Sequence, residues 1–530
     1  MTERETRRNR LDWLLLAGLV IIALLARLVP GERTVDDAYI TFRYARNAVE
    51  GAGFVYNVPS TGSGHGERVL GTTTPLYTLL MAGLSLLTGS RDFPAIALIA
   101  NALAGGFSVG MLYGLGKRFA GHPFPAATVA LLWALAPFSV SFAVGGMETD
   151  LTIGLLIAAA YTYLAERPRA MAVLSALALL ARPDTAILLG PLWLGLILAE
   201  RRIPWREGLI GLAILAPWLI FGTLYFGSPL TNSVSAKSVV YLLPPGSAFL
   251  RLLQHYATPF IEQNVLPPAG IFVALVVYCG LCALGSINAF HRDRKAWPLI
   301  AYPFVYFGVF ALANPLIFRW YLSPPVPFYF LLIVTGVWTV NQDIGKLVNW
   351  ESRRFPIYLF ANLPFTIFTV AALALTLNAW TLHPDHGPDR PAPEMAWFGG
   401  EIVYRQIALD LKDQLGPGDV VAIADIGAFG YYSEAYILDP VGLISPDSSR
   451  YYPVPPEQHA NALAVSTQLI LDRQPSYVIM LEAYIRHTLL ESDAFSVQYE
   501  LLDTIETDIL ESSAFMVFCR SDLDVDEKGQ

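Results

Sequence analysis

Eleven long apolar runs limit what this chain can fold into more than any other feature. A helix needs about 20 residues to cross a hydrocarbon core of roughly 30 Å, and most of these runs approach that length. The chain of 530 residues is 54% hydrophobic and only 15% charged, which excludes an ordinary soluble protein. The sequence therefore predicts a polytopic α-helical membrane protein. The runs lie at about 11–29, 94–116, 124–144, 149–165, 170–181, 185–199, 207–226, 268–288, 297–313, 324–341 and 356–379.

A further apolar run, 75–88, is short for a membrane span. If it does not cross, the basic loop clusters alternate to one side, which the positive-inside rule makes cytoplasmic. We therefore predict a re-entrant or interfacial segment at 75–88 and about eleven spans in the cell (inner) membrane, with a cytoplasmic N-terminus. The first loop (30–93) and the C-terminal part then lie outside the cytoplasm. The basic clusters on the cytoplasmic side include Arg7, Arg8, Lys117, Arg118, Arg201, Arg202, Arg353 and Arg354.

Charge divides the chain into two unlike parts. Residues 380–530 contain 25 Asp and Glu against 8 Lys and Arg, whereas the preceding residues contain 19 against 27. We predict a transmembrane catalytic domain at 1–379, a linker at 380–395, an extracytoplasmic α/β domain at 396–521 and an acidic tail at 522–530. The negative sign of the back part argues against nucleic acid as a partner.

Apolar runs and turns predict the α/β character of the back part. Val420-Val-Ala-Ile-Ala and Tyr477-Val-Ile-Met-Leu resemble buried strands, and Ala514-Phe-Met-Val-Phe-Cys is expected to close the sheet. Residues 401–415 and 459–473 have helical patterns. A lid over an active site or a glycan-holding module is the expected role of such a domain.

Two adjacent aspartates, Asp36 and Asp37, follow the first apolar run and open an amphipathic stretch that ends at Gly51. Aspartate is a preferred helix N-cap, but one cap explains only one of the two. We therefore favour a catalytic role. Consecutive helical residues point about 100° apart, so the pair either lies in an irregular turn or divides the work.

Other ionisable and aromatic residues near the predicted exterior ends of spans, or in exterior loops, are candidates for substrate binding. Plain alternatives stand beside them: a headgroup-facing stripe for Arg43, helix-dipole pairing for Glu148, internal pairing for Arg182, solvation for Lys237 and snorkelling for Arg319. The candidates are Arg43, Tyr44, Glu67, Arg68, Glu148, Arg182, Asp184, Lys237, Arg319 and Tyr321.

Acids and bases near one interface suit sugar transfer from a lipid-linked anion. A carboxylate would take the proton of the acceptor hydroxyl, and cations would stabilise the departing phosphate. One carboxylate could also help to hold a divalent cation such as Mg²⁺, Mn²⁺ or Ca²⁺, although the spacing specifies no metal. We reject His383-Pro-Asp-His as a metal site, because it occupies a proline-rich linker without further nearby ligands.

Several motifs of the front part resemble the polyprenyl-phosphate-dependent glycosyltransferases of the GT-C fold. Among these, the mycobacterial terminal β-1,2-arabinofuranosyltransferases and related bacterial membrane enzymes are the most similar. The likeness covers roughly the first 330 residues and continues beyond them in Gly427-Ala-Phe-Gly-Tyr-Tyr-Ser and Asp439-Pro-Val-Gly-Leu. The motifs are Asp36-Asp-Ala-Tyr-Ile-Thr-Phe-Arg-Tyr-Ala-Arg-Asn, Gly53-Phe-Val-Tyr-Asn, Glu67-Arg-Val-Leu-Gly-Thr-Thr-Thr-Pro, Gly146-Met-Glu-Thr and Ala181-Arg-Pro-Asp.

The resemblance implies that Asp36 is the acceptor-activating base, with Asp37 alongside, and that the anomeric carbon is inverted. It also implies a polyprenyl-phosphate donor of a sugar such as arabinofuranose or a hexose, and a glycan or lipid acceptor. Leu70 departs from the pattern where a glutamate is expected, which puts a role for that loop acid in doubt. The competing interpretation is a transporter or flippase for an anionic lipid-linked sugar, which should show repeated broken helices; the sequence shows no repeat.

Overall fold

The computed structural model describes residues 3–58, 68–261, 266–347 and 362–523. Most of the front part is helical, and the strands of the main sheet lie near the C-terminus. The α-helices are α1 (Glu3–Leu28), α2 (Asp36–Val49), α3 (Pro75–Thr88), α4 (Phe93–Ala120), α5 (Pro123–Leu135), α6 (Pro137–Val144), α7 (Thr149–Leu164), α8 (Pro168–Ala181), α9 (Ala186–Glu200), α10 (Trp205–Phe226), α11 (Ser233–Val240), α12 (Ser247–Ala257), α13 (Pro268–Arg292), α14 (Trp297–Ala313), α15 (Val326–Leu347), α16 (Leu363–Asn378), α17 (Gly399–Lys412), α18 (Gly427–Ser433), α19 (Thr467–Arg473), α20 (Glu482–Ile485) and α21 (Asp493–Gln498). The strands are β1 (Trp380–Thr381), β2 (Ala392–Pro393), β3 (Val420–Ile423), β4 (Tyr436–Leu438), β5 (Tyr477–Leu481), β6 (Tyr499–Glu506) and β7 (Ala514–Arg520).

The apolar runs form helices, which confirms a polytopic α-helical membrane protein. Among the described residues, seven helices are long and apolar enough to cross a membrane, and an eighth span results if α5 and α6, bent by 42°, count as one. The apolar helices α3, α7, α8 and α16 are shorter. The total of eleven spans therefore stays a prediction, as does the re-entrant role of α3. At 14 residues, α3 is about 21 Å long, less than a hydrocarbon core.

The residue contacts divide the chain into two compact units, each assembled from three separate stretches. The first loop and the C-terminal part belong to the same unit, so the boundaries predicted at 379 and 395 stay a prediction. Unit 1 comprises 1–33, 97–215 and 246–397, and unit 2 comprises 34–96, 216–245 and 398–530.

In unit 1, helices α13 and α15 cross at very short distance because two glycines face each other. A Cβ on Gly285 would lie 2.0 Å from the Leu332 carbonyl oxygen, and one on Gly336 would lie 2.0 Å from the Leu281 carbonyl oxygen. Small residues at such a crossing let two membrane helices pack backbone against backbone. This contact helps to fix the bundle.

A buried ion pair also joins the helices of unit 1. The Arg27 Nε of α1 lies 2.6 Å from Asp150 Oδ2 of α7, and Arg27 Nη2 donates to Ser139 Oγ at 2.6 Å. Neither charged side chain is exposed beyond 1%, and removing one partner would leave an uncompensated buried charge. Asp150 is thus engaged within the bundle.

Unit 2 contains a five-stranded mixed sheet in the order β4-β3-β5-β7-β6. Strand β3 pairs in parallel with β4 and β5, and β7 pairs antiparallel with β5 and β6. The C-terminal α/β domain is therefore confirmed, with β3, β5 and β7 where the sequence predicted strands. The predicted helix at 459–473 is wrong in its first half. Helix α19 begins only at Thr467, because the Val465 N–H already donates to the Tyr484 carbonyl at 2.9 Å.

Helix α2 of the first loop forms as predicted. It begins at Asp36, and it ends at Val49, two residues before Gly51, which has φ +86°. Tyr39, Phe42 and Ala45 are buried along the helix. Because both aspartates lie in the first helical turn, their side chains leave the helix in different directions.

Candidate active site

The Asp36 carboxylate is held by the C-terminal α/β domain. Its Oδ2 accepts the Gly427 N–H at 2.9 Å, and its Oδ1 accepts the Ala428 N–H at 2.7 Å. These are the first two N–H groups of α18, which its own N-cap residue, Ile426, leaves without a side-chain cap. Asp36 therefore caps a helix 391 residues further along the chain.

The C-terminal domain in turn caps helix α2. Helix α2 also has no side-chain cap of its own, since Val35 is its N-cap residue. Glu401 of α17 supplies one, because its Oε1 accepts the Asp36 N–H at 3.0 Å. The second oxygen of Glu401, Oε2, is buried and has no hydrogen-bond partner among the described residues. The two ends of Asp36, backbone and side chain, are thus fixed by the same domain.

Gly427 permits this close approach. A Cβ at position 427 would lie 1.8 Å from the Asp36 carbonyl oxygen and 2.8 Å from its carboxyl carbon. The first of these atoms is backbone, so no rotation of a side chain could relieve the overlap. Glycine is therefore required where α18 meets the start of α2.

Asp37 has different surroundings. Its side chain is 32% exposed, and its Oδ2 lies 3.9 Å from the Lys237 Nζ of α11. That distance is an ion pair rather than a hydrogen bond. The two aspartates therefore have different environments. Backbone N–H groups bind the Asp36 carboxylate, whereas the Asp37 carboxylate is partly exposed beside a lysine. Both aspartates lie within α2, which excludes the irregular turn, while a division of work between them stays a prediction.

Two further acids, Glu401 and Asp425, complete a carboxylate cluster with the pair. The Tyr404 hydroxyl donates to Asp425 Oδ2 at 2.8 Å. Sequence reasoning missed both acids. The available signal was the position of Asp425 just beyond β3, since the carboxyl ends of parallel strands are where α/β domains place functional groups.

Burial and like charges make these acids unusually weak. Burial, and then the Asp425 charge, raise the pKa of Asp36 well above its ordinary value, although the N–H of Ala428 opposes the change. Burial raises the pKa of Glu401 to about 7 and that of Asp425 to about 6. A carboxylate whose pKa approaches neutrality is suited to accept a proton during catalysis.

The other sequence candidates of unit 2 are engaged in packing. Arg43 is buried, donates to the Gly430 and Ala435 carbonyls at 2.8 and 2.6 Å, and lies 4.2 Å from the Tyr56 ring centroid. The Tyr44 hydroxyl donates to the Val69 carbonyl at 2.6 Å. Arg68 is exposed and lies over the Tyr225 ring. Glu67 lies outside the described residues.

Three of the remaining candidates, Glu148, Asp184 and Tyr321, lie in unit 1 around the buried side chain of Arg182. Arg182 donates to both carboxylate oxygens of Asp184, at 3.0 and 2.8 Å, and its Nη1 lies 3.5 Å from Glu148 Oε1. Its guanidinium also faces the Tyr321 ring at 5.1 Å, whereas Arg319 is exposed. The internal pairing considered for the Arg-Pro-Asp turn is present, and the bidentate geometry is the strong form of such a pair.

One group of three metal-ligating side chains converges among the described residues. Asp385, His386 and Glu394 place their ligand atoms within 4.8 Å of one another, so the expectation that His383-Pro-Asp-His has no further ligand nearby is wrong. The His386 carbonyl, however, accepts from the Arg33 guanidinium at 3.3 Å, which already brings a positive charge to this segment. Among the described residues, the carboxylate cluster around Asp36 does not form such a group.

The structure resembles two solved membrane enzymes over nearly its whole length. ArnT from Cupriavidus metallidurans, bound to undecaprenyl phosphate, is 12% identical; the likeness covers 97% of this chain and 98% of ArnT, with a TM-score of 0.54. The Archaeoglobus fulgidus oligosaccharyltransferase in the apo form is also 12% identical, with coverages of 97% and 75% and a TM-score of 0.56. The protein has the GT-C fold.

Comparison of the sequence with family models finds a match in the C-terminal part of the chain. Residues 395–521 match a family model described as "Domain of unknown function (DUF8728)", which coincides with the C-terminal α/β domain. No curated protein matches the sequence. The GT-C fold predicted from the motifs is therefore confirmed by structure.

Proposed function

We propose that this protein is a membrane glycosyltransferase that moves a sugar from a polyprenyl-phosphate donor to an extracytoplasmic glycan or lipid acceptor. The observation that carries the proposal is the aspartate pair at the start of α2. One carboxylate is oriented by two backbone N–H groups, and the other is partly exposed beside Lys237. The GT-C fold gives the pair a membrane scaffold suited to a lipid-linked donor.

In the proposed reaction Asp36 is the general base. The proton of the acceptor hydroxyl passes to the Asp36 carboxylate as the hydroxyl oxygen attacks the anomeric carbon. The bond from that carbon to the phosphate oxygen breaks with its electron pair, so polyprenyl phosphate leaves and the configuration inverts. The N–H bond to each Asp36 oxygen uses one acceptor position, and each oxygen retains another for the proton.

Lys237 is proposed to stabilise the negative charge that builds on the departing phosphate. Its ammonium group lies beside Asp37 and is partly buried, where a cation acts more strongly than in water. Arg182 is less suited to this role, because its guanidinium is buried and is engaged by both Asp184 and Glu148, whereas Lys237, which is also paired, is partly exposed. Arg319, which is exposed, stays a candidate for contact with the donor or a lipid headgroup.

The nature of the donor is proposed from the fold. The ArnT structure contains undecaprenyl phosphate, and its likeness to this chain extends over 97% of the sequence. We infer that the donor is a polyprenyl-phosphate sugar that enters from the lipid, in the cell (inner) membrane. The loop charges favour a cytoplasmic N-terminus, which places the Asp36 site on the extracytoplasmic side.

The proposal is tested by incubating the purified, lipid-reconstituted protein with radiolabelled polyprenyl-phosphate sugars and extracted envelope glycans and lipids. We expect one sugar to appear on an acceptor with release of polyprenyl phosphate. Movement of intact donor across a vesicle membrane, without cleavage, would instead identify a flippase. Absence of transfer with every pentose and hexose donor would contradict the proposal.

Replacing Lys237 by methionine should slow transfer by about 10- to 100-fold, because one charge-stabilising group in the transition state is lost. Steady-state kinetics with varied donor will show whether KM for the donor, kcat or both carry the change. Lys237→Arg keeps the charge and should retain more activity. The matched control is Lys412→Met, which removes an exposed lysine of the same unit that pairs with Glu434 at 2.8 Å. Equal rates for Lys237→Met and the control would remove Lys237 from the site.

A further inference from the structure

In the C-terminal α/β domain, the carboxyl end of strand β3 lies next to Asp36. The domain's three parallel strands, β3, β4 and β5, are each followed within two residues by an acid: Asp425, Asp439 and Glu482. In α/β domains the carboxyl ends of parallel strands commonly hold a ligand. Here the group bound next to β3, by the N–H groups of Gly427 and Ala428, is the side chain of Asp36 from the same chain.

We propose that Glu401 and Asp425 of this domain are positioning residues of the active site that act on Asp36, Glu401 through its bond to the Asp36 N–H and Asp425, held by the Tyr404 hydroxyl, through its negative charge. This inference rests on the proposed function and assigns a role to the C-terminal α/β domain. Three contacts support this proposal. Glu401 accepts the Asp36 N–H, and the N–H groups of Gly427 and Ala428 donate to the Asp36 carboxylate. The Tyr404 hydroxyl donates to Asp425.

The charges around Asp36 explain what these residues do. Burial disfavours the ionised form of Asp36 most, the charges of Asp425, Glu401 and Asp37 add to this effect, and the Ala428 N–H opposes it. Lys237 faces Asp37 from α11. The balance keeps Asp36 a stronger base than an ordinary exposed carboxylate. Groups facing the cluster from the elements packed against it are Asp37, Tyr56, Lys237, Tyr241, Glu401, Tyr404, Asp425 and Tyr484.

These charges determine the direction in which the pKa of Asp36 should change when either acid is replaced. Glu401→Gln keeps an oxygen for the Asp36 N–H but removes a negative charge, and Asp425→Asn likewise keeps an acceptor for the Tyr404 hydroxyl. Each change should lower the pKa of Asp36. The limb of the pH–rate profile on which activity rises with pH should therefore move to lower pH, while the rate at its plateau falls because the base is weaker.

The rising limb of the pH–rate profile should also be narrower in each test variant than in the wild type. Burial raises the pKa of Glu401 to about 7 and that of Asp425 to about 6, and the charges of both acids act on the base. The wild-type limb should therefore be broader than a single-proton curve, since the acids titrate as a coupled set. Removing either acid should narrow it. A residue that only supports the fold would lower the rate at every pH without moving or narrowing the limb.

The experiment compares pH–rate profiles of the full-length wild type, Glu401→Gln, Asp425→Asn and the control Asp410→Asn. Asp410 is an exposed acid of the same helix as Glu401, so its removal should leave the limb in place. We expect both test variants to shift the limb to lower pH by a measurable margin. A limb that stays in place in both test variants, or one that moves equally in the control, overturns the inference.

A second readout separates this inference from the proposed function. Infrared difference titration follows the carboxyl band that Asp36→Asn removes, and it needs no turnover. If the wild type transfers no sugar, the proposed function fails, yet Glu401→Gln should still move the titration of that band to lower pH. If the wild type is active but the band titrates at the same pH in both variants, only the positioning role fails.

Discussion

Asp36→Asn is expected to lower the rate of sugar transfer by about 10²- to 10⁴-fold, the usual contribution of a general base. Asparagine has nearly the same shape but cannot accept the hydroxyl proton. It also presents an NH₂ group to one of the two N–H groups of Gly427 and Ala428 that now face carboxylate oxygens. Initial rates under saturating donor, with the thermal unfolding midpoint measured in parallel, would check both consequences.

The matched control for this prediction is Glu50→Gln. Glu50 is an exposed acid at the other end of α2, so its replacement removes the same charge from the same helix away from the site. Its transfer rate should remain within about twofold of the wild type, since exposed substitutions away from specific contacts usually have small effects. Wild-type turnover by Asp36→Asn would exclude Asp36 as the base. Asp37→Asn would then test the partly exposed carboxylate.

The local part of this site could be predicted from the sequence. The amphipathic pattern after Asp36 and the glycine at 51 predict α2, and both ends of the helix agree. The apolar, β-branched runs predict β3 and β5, because a strand that is covered on both faces needs no polar alternation. Strand β4, only three residues long, and β6, which is mostly exposed, gave no comparable signal.

The long-range part could not be predicted, for a physical reason. The pattern that identifies an N-cap is local, and it would have Asp36 cap its own helix. In the structure Asp36 caps α18 instead, and Glu401 caps α2, across sequence separations of 391 and 365 residues. No periodicity or spacing relates such distant residues. The contacts depend on tertiary packing within unit 2.

The same limit applies to the charged candidates. Arg43 was considered as a headgroup-facing or substrate-binding residue, but its buried guanidinium donates to carbonyls of the C-terminal domain. Arg182 lies beside Asp184 in sequence, so its internal pair could be considered in advance; the additional contact with Glu148 could not. A charge next to a membrane span indicates a polar contact, while the partner depends on the fold.

Gly427→Ala is expected to reduce transfer by at least about 100-fold, although only one methyl group is added. The new Cβ would overlap the Asp36 carbonyl at 1.8 Å, so the start of α2 and the 427–428 peptide must move apart. Misplacement of a catalytic group by about 1 Å can cost roughly 10²-fold in rate. Initial rates of transfer, compared with the wild type at equal protein concentration, measure this loss.

The control for the glycine prediction is Gly418→Ala, in the exposed turn before β3. A Cβ there meets no atom within 4 Å, so the same change in backbone freedom occurs without a collision. Its rate should match the wild type. Near-normal transfer by Gly427→Ala would show that Asp36 can act without the bond from Gly427, and the active site would then not depend on the close approach of α18 to α2. If both variants lose activity equally, the cause is general instability of the C-terminal domain, and the specific role of Gly427 is refuted.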